Sequence, residues 1–208
     1  MKYLDKVKKQ FNLNKKALRF LIGISIIGFI FGCIFILIIS KTDKTLVKEY
    51  IESFITNLNK GNFNYLDIFK NTMFNNLLFV LIIWLLGISV IGIPIDIFYY
   101  FLKNFVLGFT CVSFILTYKL KGCLFSIIYI IPHNLINIML FTILVYYSLN
   151  FSILLVYSII KKKNINFKLF INKYIKILIF TISGIIITGL YESFVLPSIM
   201  KSLLFLIK

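Results

Sequence analysis

The side chains that could do chemistry are few and scattered. In 208 residues there are seven acids, one histidine, His133, and three cysteines, Cys33, Cys111 and Cys123. A zinc hydrolase needs ligands at helical spacing, and no His-Glu-x-x-His occurs. Acyl transfer needs a nucleophile with a base and an orienting group, and no Gly-x-Ser-x-Gly occurs. No glycine-rich loop runs into a lysine to cradle phosphate, and no two acids pair within an apolar run. Asp43, Glu49, Glu52 and Asp67 share one polar interval, which leaves too few acids elsewhere for a proton-transfer set. The cysteines lie in apolar stretches without a Cys-x-x-Cys pair, as small buried side chains do, and not as zinc ligands or disulfides. The chain therefore carries no signature of an enzyme, a metal centre or a cofactor.

What remains is shape in a membrane. Residues are 60% hydrophobic and 14% charged, against roughly half and a quarter in soluble domains, and mean hydropathy is +0.97. About five windows reach the roughly 20 apolar residues that a spanning helix needs. The expected fold is all-α, a polytopic integral membrane protein in which residues 1–208 form a single membrane domain. In a soluble chain a net charge of +16 would suit nucleic acid. Here the lysines cluster beside apolar segments, so they set topology and no nucleic acid partner is expected.

In chain order, residues 1–19 hold Lys2, Lys6, Lys8, Lys9, Lys15, Lys16 and Arg19 against Asp5, which places the N-terminus in the cytoplasm. Part of this segment can lie on membrane lipid. Phe20 to Ser40 is the first span, an anchor without a cleavage signature. Gly28 and Gly32 within it permit close approach, either to another helix of the chain or to a second copy in a homo-oligomer. Residues 41–75 carry Lys41, Lys44, Lys48, Lys60 and Lys70 against the four acids, a near balance that suits the extracytoplasmic side. Leu46, Val47, Tyr50, Ile51, Phe54, Ile55 and Leu58 recur there at three- and four-residue steps, which predicts an amphipathic helix capped by Thr42 or Asp43. Its apolar face rests on lipid or on the bundle, or fills a partner's groove. In the last case Leu46, Tyr50, Phe54 and Leu58 are the partner contacts.

Residues 76–93 return and end in Gly87-Ile-Ser-Val-Ile-Gly-Ile-Pro-Ile-Asp96, a turn between flanks too apolar to leave the membrane. Gly87, Gly92 and Pro94 weaken the helix, Ser89 can bond a freed carbonyl, and Asp96 is placed to cap the next helix. That helix, Ile97 to Tyr118, leaves again, with Lys103 near enough to its start to snorkel. Lys119 to Gly122 turns outside. Residues 123–160 are too long for one span, and Pro132-His133-Asn134 interrupts them. A half-helix from Leu124 to Ile131 dips in, breaks at Pro132 and gives way to a span from about Leu135 to Tyr157, so residues 123–134 form a re-entrant break. His133, Asn134 and Asn137 are then available to the exposed backbone. Lys161, Lys162, Lys163, Lys168, Lys173 and Lys176 make a second cytoplasmic block over residues 161–176. Ile177 to Leu196 is the fifth crossing, with Glu192 near its outer end and the C-terminus outside.

Several blocks in fixed order carry a family resemblance. Trp84-Leu-Leu-Gly-Ile-Ser-Val-Ile-Gly-Ile-Pro94, Phe101-Leu-Lys-Asn-Phe-Val-Leu-Gly-Phe109, Leu120-Lys-Gly122, Pro132-His-Asn-Leu135 and Tyr191-Glu-Ser193 with Pro197 and Met200-Lys201 together resemble the stage II sporulation protein M family. Asn104 stands where a glycine is expected, and His133 where glutamine is. The resemblance implies a multi-pass protein of the mother-cell membrane, acting at the septum in septal thinning and forespore engulfment. Its implied partners are two peptidoglycan-hydrolysing engulfment proteins. The positions carried over are Gly87, Ser89, Gly92, Pro94, Lys103, Gly108, Gly122, Pro132, Asn134, Glu192 and Pro197, which serve shape. The alternative from another class is a transporter or permease subunit with a site at the broken helices.

Overall fold

A computed structural model describes residues 15–60, 65–161 and 167–199. Among these the elements are helical: α1 (Lys15–Ile38), α2 (Lys41–Lys60), α3 (Tyr65–Gly87), α4 (Gly92–Phe125), a π turn π1 (Ser126–Ile130), α5 (Ile131–Lys161), α6 (Phe167–Leu190) and a second π turn π2 (Tyr191–Val195). Residues 196–199 continue as α-helix. Residues 1–14, 61–64, 162–166 and 200–208 lie outside the described set, so most of the basic N-terminal segment, the early part of the second basic block and most of the C-terminal tail are not described.

Four helical stretches are long and apolar enough to cross a membrane: Lys15–Ile38, Tyr65–Gly87, Gly92–Ser158 and Lys168–Ile199. The third has 67 residues, about 100 Å if straight, three times the hydrocarbon thickness. It is folded back at Lys119, the one described non-glycine residue with positive φ (53°, with ψ −128°). The pairing on either side is that of a hairpin. Phe114 stacks on Phe125 with centroids 4.9 Å apart, Ser126 Oγ donates to the Cys111 carbonyl at 3.2 Å, and Tyr100 Oη shares a 2.6 Å hydrogen bond with Thr142 Oγ1. Gly122 makes the tight return possible, since a Cβ there would overlap the Phe114 carbonyl. The folded stretch makes two antiparallel passes, so the four stretches amount to five helical passes among the described residues.

The expected break at Pro132 is corrected. There is an interruption within residues 123–134, but it is the π turn Ser126–Ile130 inside a helix that runs on through Pro132; no half-helix dips and turns back. Proline removes the amide that would serve the Ile128 carbonyl, and the next two residues send side chains back to the two carbonyls that follow it. His133 Nδ1 bonds the Tyr129 carbonyl at 2.7 Å, and Asn134 Nδ2 donates to the Ile130 carbonyl at 2.8 Å. A continuous helix keeps more of its backbone bonded than a broken one, which a bilayer favours.

Direct contact, more than apolar burial, must join helices that share an apolar solvent. On α1, Gly28 and Gly32 face α4 so closely that a Cβ would press on the Phe101 carbonyl or overlap that of Phe105, and Gly108 of α4 returns the fit against the Phe29 carbonyl. The glycine pair thus packs within the chain. Gly28 meets Phe101 and Gly32 meets Phe105, so α1 and α4 run in the same direction. Ser25 Oγ donates to Asn104 Oδ1 at 2.6 Å beside this seam, and Thr188 Oγ1 to Asn137 Oδ1 at 2.7 Å between α6 and α5. Such bonds contribute about 0.6 kcal/mol each on average. Leu21, Val80, Ile83, Phe141, Leu144 and Ile185 fill the core between them.

Two further expectations change. Residues 65–75, counted with the polar interval, belong to α3, whose Asn76 is buried. The cap of α2 is Ser40: its Oγ accepts the Asp43 amide at 3.1 Å and donates to Asp43 Oδ2 at 2.7 Å. Thr42 and Asp43 lie in the first turn instead, with the carboxylate at the positive helix end.

Candidate functional site

The sequence-derived positions gather at the two ends of the bundle. At one end, the Gly87 end, α3 stops and α4 begins. The Gly92 amide donates to Ser89 Oγ at 3.1 Å, so Ser89 satisfies the first amide of α4, while the cap residue itself, Ile91, makes no side-chain cap bond. Asp96 does not cap; it lies inside α4, fully buried, against the hydroxyl of Ser148. That same hydroxyl lies 3.1 Å from the Ile83 carbonyl. Ser152 Oγ is 2.8 Å from the Gly87 carbonyl and 3.0 Å from that of Ser89, and Tyr174 Oη donates to the Trp84 carbonyl at 2.9 Å. The carbonyls freed by the helix end are held by hydroxyls of α5 and α6. Gly87 is required because a Cβ would collide with Ser148 and Tyr174, and Gly92 because one would overlap the Leu86 carbonyl. Pro94 sits exposed in the first turn of α4, where its missing amide costs nothing. The group can lock three helices together and presents no nucleophile to a substrate.

Lys103 does not snorkel. Its ammonium donates to Asn76 Oδ1 at 3.0 Å and lies 5.5 Å from the ring centres of both Phe79 and Phe141. The α3 surface supplies this acceptor one helical turn from Thr72, whose hydroxyl donates to Glu192 Oε1 at 3.3 Å. Lys103 and Glu192 are thus tied to neighbouring turns of α3. A charge buried in a bilayer needs such partners.

The other end, where Lys119 turns, holds a cleft of about 320 Å³. The amphipathic helix α2 forms one wall with Val47, Tyr50, Ile51 and Phe54. Phe109, Thr110, Ser113 and Phe114 of α4 form a second, and Tyr129, Ile130, His133, Asn134 and Glu192 close it from π1, α5 and π2. Both π turns therefore contribute to one cavity. Such turns re-aim side chains at functional sites in many proteins. The His133 tautomer follows from its contacts: Nδ1 donates to the Tyr129 carbonyl, leaving Nε2 to accept from Asn134 Nδ2 at 2.9 Å.

The candidate partner contacts divide. Ile51 and Ile55 anchor α2 on Cys111, Phe114, Phe125 and Ile130, with Phe54 half-buried beside them. Leu46 and Tyr50 remain 63% and 76% exposed. The side chain of Leu58 lies outside the described residues. Asn134 and Glu192 meet in the cleft with Tyr50 and Phe54. Pro132 and Pro197 do not line it, and Gly108 and Gly122 serve close helix packing against Phe29 and Phe114. Sequence reasoning missed Thr110, Ser113 and Tyr129 as cleft residues because each looks like an ordinary member of an apolar run. Ser148 and Ser152 were missed for the same reason, and Tyr174 because it stands between Lys173 and Lys176 in the basic block. Cys33, Cys111 and Cys123 carry free thiols.

An all-α bundle of five apolar passes, with polar groups committed to holding helices together, defines a polytopic membrane protein. A family model, stage II sporulation protein M, matches residues 20–197. The chain belongs to that family and is a sporulation-related membrane protein. No curated protein matches it. No solved structure matches it.

Proposed function

We propose that this chain is a non-catalytic membrane scaffold of endospore formation, which recruits and anchors two peptidoglycan-degrading partner proteins at the septal membrane for septal thinning and engulfment. The observation that carries the reading is the seating of α2. Ile51 and Ile55 fix it to the bundle while Leu46 and Tyr50 stay uncovered, so a stiff apolar ridge is presented at a defined height above five membrane passes. A ridge held in place in advance loses little entropy on binding. Orientation follows from charge. Lys15, Lys16 and Arg19 begin α1, and Lys168, Lys173 and Lys176 begin α6, so both basic groups lie at the Gly87 end. The positive-inside bias puts that end and the N-terminus in the cytoplasm, and α2, with the C-terminal end of α6, on the wall side.

The test is copurification from sporulating cells. Full-length protein should retain wall hydrolases, and Tyr50→Asp or Leu46→Asp should lose them with membrane level unchanged. A central aromatic at such a contact contributes about 2 kcal/mol or more, some thirtyfold in affinity. Retention of hydrolases by both variants would move the contact off α2. Copurification with an ATPase in place of hydrolases would favour the rival reading, a transporter or permease subunit, for which the cleft between two π turns is the supporting observation.

A further inference from the structure

The cleft at the Lys119 end has spent almost all of its hydrogen-bond donors. Thr110 Oγ1 donates to the Val106 carbonyl at 2.8 Å, and Ser113 Oγ to that of Phe109 at 2.7 Å. Asn134 Nδ2 divides its two hydrogens between the Ile130 carbonyl and His133 Nε2, and His133 Nδ1 is held by the Tyr129 carbonyl. A hydroxyl has one hydrogen and an amide nitrogen two, so what these groups can still offer is lone pairs. Thr110 Oγ1, Ser113 Oγ and Asn134 Oδ1 are acceptors. Glu192 adds a carboxylate of which only Oε1 has a described partner, the Thr72 hydroxyl. The phenol hydroxyls of Tyr50 and Tyr129 are the exceptions. Around the acceptors stand aromatic faces: Tyr50, Phe54, Phe109, Phe114 and Tyr129. Lys103 does not line the cleft and is turned to Asn76.

We propose that this cleft is a lipid site that takes the primary ammonium of an aminophospholipid headgroup, with Glu192 and Asn134 as its principal acceptors. A ligand matching several acceptors and one negative charge among aromatic walls must carry positive charge and N–H donors. A bilayer source is favoured by position. Thr110, Ser113, His133 and Asn134 lie within the Gly92–Ser158 span and Glu192 within Lys168–Ile199, and Val106 and Leu116 on the same helix are exposed beside the cleft as lipid-facing residues are. The ligand enters sideways from the apolar phase, and its acyl chains run down this α4 surface. Aromatic walls alone would accept the quaternary ammonium of a choline lipid equally well, but that group has no N–H to give. The acceptor set therefore selects ethanolamine over choline.

The proposal is tested on full-length protein without partner proteins, so its outcome is separate from that of the copurification. Protein reconstituted in vesicles of equal phosphatidylethanolamine, phosphatidylcholine and phosphatidylglycerol is extracted in mild detergent, and the lipids it retains are quantified by mass spectrometry. Ethanolamine lipid should be enriched roughly tenfold over choline lipid, the worth of one charge-assisted hydrogen bond. Glu192→Gln should remove most of that enrichment, Thr110→Val should reduce it, and Glu52→Gln on the exposed face of α2 should leave it intact. Each variant is compared at equal thermal stability and elution volume. Equal retention of ethanolamine and choline lipids overturns the proposal, as does enrichment unmoved by Glu192→Gln. Binding of a lysine-bearing peptide by a protein that shows no lipid preference overturns it too, and gives the cleft to a polypeptide.

Discussion

Pro132 and Pro197 occupy the same place relative to a π turn: each stands two residues beyond its last member, Ile130 and Val195. Both turns close with the same shifted bond, from the Ile131 amide to the Ser126 carbonyl and from the Leu196 amide to that of Tyr191. Inside a helix, a proline ring crowds the carbonyl of the residue four before it and leaves that carbonyl without its donor. An extra residue in the preceding turn takes up the crowding and bends the helix there, so the bend has an identifiable cause. The two bends also bring Asn134 and Glu192 into one cavity.

The side-chain bonds next to Pro132 predict the cost of Asn134→Leu. That change strips one donor from the Ile130 carbonyl and one from His133, and should destabilise the folded protein by about 1–2 kcal/mol, measured by thermal or denaturant unfolding in detergent. His133→Gln keeps a donor at the Tyr129 carbonyl and should be nearly neutral. Equal stability of all three proteins would show that these side chains do not hold the bend.

The α1–α4 seam predicts opposite responses from two glycines. Gly32→Val has no room beside the Phe105 carbonyl and should cost roughly 1–3 kcal/mol in overpacking. Gly23→Ala meets nothing within 4 Å and should be neutral or slightly stabilising. Comparable losses in both would mean that helix propensity, not close approach, is what the glycines supply.

Lys119 holds a backbone conformation that a side chain disfavours. Lys119→Gly should raise stability by about 1 kcal/mol, because the strain at positive φ vanishes and the hairpin of Phe114 on Phe125 is untouched. A lower unfolding midpoint for this variant would mean that the lysine side chain contributes more at this position than its backbone costs.

Orientation is testable by labelling. With Cys33, Cys111 and Cys123 replaced by alanine, single cysteines at Asn59 and Ser198 should react with an impermeant thiol reagent from the wall side, and one at Asn164 should not. Reaction at Asn164 in intact cells would invert the assignment made from the basic residues.

The chain by itself determined the class and the number of passes, because membrane insertion is decided by local apolar length and flanking lysines, both of which are written contiguously. It also showed that α2 would be amphipathic, since the three- and four-residue steps of Val47, Ile51 and Ile55 need no knowledge of what covers them. Where Lys103 points, which hydroxyls hold the end of α3, and that the proline segment bends without breaking were decided only in three dimensions. For the first two the reason is common: an intramembrane polar group takes whichever partner a neighbouring helix presents, and that partner lies 27 residues away for Lys103 and 65 for Ser148. In α4 and α5 the same long apolar runs that announce a span conceal which face turns inward. The cleft residues Thr110, Ser113 and Tyr129 came together only when Lys119 reversed the chain.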